Sequence, residues 1–63
     1  MSKYKAKIVP VNGFMGTYWE SYIEKDGKKY NLVGHYIFSL AQNAYEQRKK
    51  QAAYLNKEAA SEQ

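Results

Sequence analysis

Cysteine is absent from the 63-residue chain and histidine occurs once, at His35, so disulfides, thiolate metal sites and clusters of imidazole ligands are all excluded. No metal or other cofactor is therefore expected. Apolar runs are short. None approaches the roughly 20 residues that a membrane-spanning helix needs, and no secretory-signal core occurs, so the expectation is a soluble cytoplasmic protein with no membrane partner. Motif chemistry is also missing. There is no phosphate-binding glycine loop, no nucleophile elbow and no metal-ligand spacing. His35 has no Ser, Cys or acid placed beside it by the sequence, so it is expected to be a satisfied junction residue and the protein a non-enzyme. A chain this short has room for one domain, near the lower size limit at which a hydrophobic core suffices without staples.

What is present is organised around Trp19 to Gly34. Asp26-Gly27 lies between two alternating runs, and a two-residue type I′ turn requires positive φ at both positions, which Asp and Gly tolerate. The turn sets a register in which Lys25 faces Lys28, Glu24 faces Lys29, Ile23 faces Tyr30, Tyr22 faces Asn31, Ser21 faces Leu32 and Trp19 faces Gly34. Upstream, Tyr4 to Val11 alternates with period 2 and carries Pro10 and lysines, marks of an edge strand. Asn12-Gly13 is a second candidate turn, with Val11 opposite Phe14, Ile8 opposite Thr17 and Ala6 opposite Trp19. The segment 12–16 reads equally as a longer mobile loop, because two glycines surround Phe14 and Met15. Both turns place Tyr4, Ala6, Ile8, Trp19, Ser21, Ile23, Tyr30 and Leu32 on one face of a three-stranded meander, over about 4–11, 14–25 and 28–33.

After Gly34 the period changes to 3.6. Ile37, Leu40, Ala41, Ala44, Tyr45, Arg48, Ala52 and Leu55 fall on one stripe, predicting an amphipathic helix over about 36–57 packed on that face, with Arg48 at the core's edge. The fold class is thus α+β, a single β-β-β-α domain over 1–58 with a disordered tail at 59–63. Trp19 is expected among the most buried side chains, against Ile37, Leu40 or Ala41. A helix of about 22 residues spans roughly 33 Å and outreaches a strand of roughly 26 Å. Tyr54 and Leu55 should then overhang the sheet and either fray or meet a partner or a second copy.

Ten Lys plus Arg against six Asp plus Glu leave a formal charge of +4, and ten aromatic side chains (seven Tyr, two Phe, one Trp) exceed what so small a core can enclose. A basic bias favours nucleic acid or an acidic protein surface. Two surfaces are candidates for binding. One is the open sheet face with Lys3, Lys5, Lys7, Tyr18, Tyr22, Lys29 and Asn31, and the other is the helix end with Arg48, Lys49, Lys50, Tyr54 and Leu55.

The run Trp19-x-Ser21-x-Ile23-x-x-Asp26-Gly27-Lys28-Lys29-x-x-Leu32, followed by Gly34 and Tyr36, resembles the W-x-A-x-I…[ND]-G-K-[KR]…L-G-x-[FY] pattern of three-stranded-sheet DNA-binding domains. These occur in plant ethylene-response factors and at the N-terminus of tyrosine integrases. The resemblance covers about Trp19 to Tyr45. It implies a helix packed on one sheet face and an opposite face entering the DNA major groove through positions Glu20, Tyr22, Glu24, Lys29 and Asn31, with Lys5 and Lys7. Glu20 and Glu24 depart from the family, which has basic or amide side chains there, and carboxylates beside phosphates oppose binding unless they read cytosine amino groups.

Two functions follow as expectations. The first is a small DNA-binding accessory protein in which Lys3, Lys5, Lys7, Lys28 and Lys29 contact phosphates while Tyr22 and Asn31 approach base edges. The alternative is a protein-binding module, such as a phage- or plasmid-type inhibitor of a host protein with an acidic or apolar surface. It would use Tyr18, Tyr22, Arg48, Tyr54 and Leu55 as anchors, with homo-oligomerisation through the C-terminal helix a further option.

Overall fold

The computed structural model describes residues 3–61. Strands β1 (Lys5–Gly13), β2 (Gly16–Lys25) and β3 (Lys28–His35) form one antiparallel sheet in the order β1-β2-β3, and helix α1 (Phe38–Ser61) packs on one face, mainly over β2 and β1. The expected three-stranded meander with one C-terminal helix is what the chain forms. The helix starts two residues later than the 3.6 period suggests and runs four residues further. Residues 59–61 of the expected tail are therefore helical, and 62–63 lie outside the described residues.

The Asp26-Gly27 turn forms as expected, with φ of 54° and 79°. Its register holds through Lys25↔Lys28, Glu24↔Lys29 and Ile23↔Tyr30 and then slips by one, so that Ser21 pairs with Val33, Glu20 with Gly34 and Trp19 with His35. The slip is a β-bulge centred on Asn31, whose φ of 54° lies in the left-handed region that asparagine tolerates better than most residues. Its effect on the faces is large. Val33 replaces Leu32 on the helix side, while Leu32 moves to the open face and stays about half exposed.

The first hairpin differs more. Its turn is Phe14-Met15, closed by the pair Gly13↔Gly16, so segment 12–16 is a tight hairpin end and Asn12-Gly13 belongs to the ladder. Gly16, at φ 118°, supplies the backbone geometry that a side chain would resist. The register moves by four residues: Ile8 faces Ser21 and Ala6 faces Ile23, where Thr17 and Trp19 were expected. An even shift leaves each side chain on its expected face. The observed register also runs β1 along the whole of β2, setting Ile23 between Ala6 and Tyr30, whereas an Asn12-Gly13 turn would leave the last residues of β2 without a β1 partner.

The core is small and tightly closed. Ile23 and Ser21 are fully buried beneath Ala41, Ala44 and Ala52, and Ser21 Oγ donates a hydrogen bond to the Ala41 carbonyl at 3.0 Å. Alanines let the helix approach this closely. The longer side chains around its start, Ile37 just before it and Leu40 in its first turn, are 60% and 48% exposed. Trp19 is only half-buried, because the helix begins beside it: the indole packs edge-on to Phe38 with ring centroids 4.8 Å apart. At the other end the Asn56 amide grips the backbone of Tyr4, accepting from its N–H at 2.9 Å and donating to its carbonyl at 3.0 Å. The sheet therefore reaches as far as Asn56. Leu55 is half-buried rather than overhanging, and Tyr54 alone of that pair is exposed.

Candidate functional site

Chain direction sorts the charges. Residues 8–19 and 30–45 contain no Lys, Arg, Asp or Glu. The meander brings the two segments together, because β1 and β3 both run toward the end at which β2 and α1 begin. This arm end carries Phe14, Met15, Tyr36, Ile37, Phe38 and Leu40, all exposed, with Phe14 at 105% and Met15 at 80%. The opposite, turn end holds Lys3, Lys5, Lys7, Lys25, Lys28, Lys29 and Lys57 against Glu24, Asp26 and Glu58. With extents of 46 × 21 × 12 Å, the molecule keeps these two chemistries well separated.

At the turn end, Lys25 and Lys28 sit directly opposite each other across the hairpin, a like-charge pairing that disfavours the sheet. The Lys25 ammonium lies 4.6 Å from the Tyr4 ring centroid, and that ring meets Tyr30 edge-on. Lys3, Lys5, Lys28 and Lys29 are exposed. Lys7 is less available: it bonds Glu24 at 2.9 Å, and the hydrogen bond and charge of that carboxylate hold its ammonium pKa above the ordinary 10.5.

The open face is not the flat reading surface that the register suggested. Tyr22 is only 5% exposed, with the Lys29 ammonium 4.8 Å above its ring, so it is a packed residue and not a projecting anchor. Tyr18 lies against Gly13 and Gly34, where an added Cβ would come within 2.8 Å and 3.3 Å of its ring. Its hydroxyl donates to Glu20 at 3.5 Å, and the ring tilts against Tyr36 at 5.5 Å. Partial burial and the Glu20 charge push its phenol pKa above the ordinary 10.0. Asn31 turns to the helix, donating to Gln51 Oε1 at 3.2 Å, while its carbonyl accepts from Arg48 Nε at 2.8 Å. Asn31, expected at a base edge, is directed by this bulge to the helix and stays exposed. Arg48 is likewise occupied. Tyr54 and Leu55 line an open groove of about 320 Å³ with Asn31, Lys50 and Gln51.

Of the expected site residues, then, the structure gathers Lys3, Lys5, Lys28 and Lys29 at one end, pairs Lys7 with Glu24 and Arg48 with the Asn31 carbonyl, buries Tyr22, and leaves Asn31 exposed with its amide directed to Gln51. Reading strand by strand missed the uncharged arm end, although the charge-free runs 8–19 and 30–45 were visible. His35 also departs from expectation. It faces Trp19 across the ladder, and its Nδ1 is buried with no hydrogen-bond partner. Among the described residues no group of three or more His, Cys, Asp or Glu is placed to hold a metal ion, and no helix is long and apolar enough to cross a membrane. Comparison with protein-family models, curated proteins and solved structures finds no significant match.

Proposed function

We propose that the protein is a small non-enzymatic DNA-binding accessory protein that grips the phosphate backbone with its turn end and reads little or no sequence. The observation that carries this reading is the concentration of lysines at that end, with Lys3, Lys5, Lys28 and Lys29 exposed and Lys25 paired with Lys28 across the hairpin. Clustered cations gain from contact with a polyanion, which releases its own counterions on binding. The open face is a weaker candidate. Glu20 and Glu24 project there, Lys7 is paired with Glu24, Tyr22 is buried, and the exposed Asn31 amide is directed to Gln51 of the helix. Contact through the turn end replaces major-groove insertion as the mode of binding.

Fluorescence anisotropy with a labelled mixed-sequence duplex tests this directly. Engagement of four or five of Lys3, Lys5, Lys25, Lys28 and Lys29 should make log K fall with log salt at a slope of about −4. Different duplex sequences should bind almost alike. Failure to bind any duplex at low ionic strength would remove the reading.

The alternative, a protein-binding module, is favoured by one observation, the exposed uncharged arm end. That surface offers nothing to phosphates. Its affinity for a partner would respond little to salt and would depend on Phe14, Met15, Ile37 and Leu40.

A further inference from the structure

We infer that the arm end is covered by a second copy of this chain, the two packing end to end about a two-fold axis with the arm of each lying on the shoulder of the other. The first reason is shape. The β1–β2 ladder continues through Val11↔Tyr18, Asn12↔Thr17 and Gly13↔Gly16 past Trp19↔His35, the last pair that β3 makes. The hairpin arm therefore projects about 10 Å beyond β3 and forms a step with the shoulder, Tyr36 to Leu40. A two-fold operation places each apolar tip in the other copy's step, so that one patch serves both copies and the contact closes on itself.

The second reason is area. Phe14, Met15, Tyr36, Ile37, Phe38 and Leu40 range from half to fully exposed. Aromatic side chains offer roughly 150–250 Å² each, so Phe14, Tyr36 and Phe38 at these exposures present on the order of 400 Å², and Met15, Ile37 and Leu40 add a comparable apolar area. The area available to a contact thus reaches the roughly 800 Å² that each partner buries in a stable protein interface.

The third reason is charge. Each copy carries +4, so a side-by-side pair would bring lysines together. Joining the uncharged ends instead sends the lysine ends to the far extremes of two 46 Å molecules, several Debye lengths of about 10 Å apart. The arm is also stiffened before contact, by the Thr17 hydroxyl donating to Asn12 Oδ1 at 3.2 Å and by Tyr18 packed on Gly13. Little ordering then opposes association.

The inference is independent of the DNA reading, which concerns the other end. Sedimentation equilibrium of the full chain over a range of concentrations should give a species of twice the 7.3 kDa chain mass. Phe14→Ser combined with Met15→Ser, and separately Ile37→Ser with Leu40→Ser, should each weaken the dimer at least a hundredfold, since every lost side chain is lost from both copies. The loop pair is largely exposed, so its variant should keep the wild-type circular dichroism. Leu55→Glu, in the groove away from this end, should leave the dimer constant unchanged. A monomer at all concentrations overturns the inference and leaves the arm end to a different protein or a lipid surface. A dimer indifferent to the loop pair, or dissociated by Leu55→Glu, overturns it in favour of another contact.

Discussion

Ile23 has Ala6 on one side, Tyr30 on the other and the helix alanines above, and with no exposure at all it carries more of the core than any other side chain. Ile23→Ala should cost about 2–5 kcal/mol and Ile23→Val about 0.5–1.5, against roughly 3–5 kcal/mol available to a core this small. Urea titration should therefore find the alanine variant largely unfolded without denaturant and the valine variant folded with a lowered midpoint. Trp19→Ala, at the half-buried rim, should be milder than a fully enclosed tryptophan would suggest. Titration behaviour belongs to the same scale. The pKa values of Lys7 and Tyr18 are both raised on folding, so their contribution is fully present below the ordinary values near 10 and is lost as pH rises through the shifted ones. The urea midpoint should hold between pH 7 and 9 and fall above about pH 10, less steeply in Lys7→Met or Tyr18→Phe. An equal fall in both variants would show that neither group contributes.

Among the elements, the bulge in β3 determines which side chains meet the helix. Asn31 at positive φ redirects its own carbonyl to Arg48 and its amide to Gln51, and displaces Leu32 to the open face. Asn31→Val places a β-branched residue in that backbone region and should lower stability by about 1–3 kcal/mol. Asn31→Gly, which keeps the backbone accessible, should cost less. If the two are equal in urea titration, the bulge is not held by its φ. Asn56→Ala removes both bonds to the Tyr4 backbone and should cost about 1–2 kcal/mol, chiefly by loosening β1 from the helix.

Much of this scale was legible in advance. The Asp26-Gly27 turn, the three-strand order and the helix stripe are local patterns, and period and turn chemistry specify them. The bulge was not, since an asparagine in a strand announces no register slip until the helix supplies Arg48 and Gln51 as partners. The first turn differs from its local signal for a similar reason. Asn12-Gly13 satisfies the local rule, but the ladder that β1 can build along all of β2 outweighs it. Residue type alone predicts a buried Trp19, while its exposure depends on where the helix begins.

Over the whole molecule the organising feature is axial, with lysines at one end, uncharged aromatic and aliphatic side chains at the other and a thin alanine-sealed core between them. The four exposed lysines expected to meet phosphates do gather, yet Lys25 joins them only because the turn pairs it with Lys28, while of the expected base readers Tyr22 is buried and Asn31 is turned to Gln51. Site residues were thus readable as a charge class, whereas their individual roles depended on side-chain contacts that strand alternation does not encode. The separation of roles between the ends is tested most directly by the salt dependence of duplex affinity, measured in parallel for the intact chain, Lys28→Ser and the paired loop variant Phe14→Ser, Met15→Ser. The intact chain should show a slope of about −4, the lysine variant a slope shallower by roughly one unit, and the loop variant, compared as a monomer per site, the same slope as the intact chain. No binding at low salt, or a slope that Lys28→Ser leaves untouched while the loop variant changes it, would contradict the assignment of phosphate binding to the lysine end.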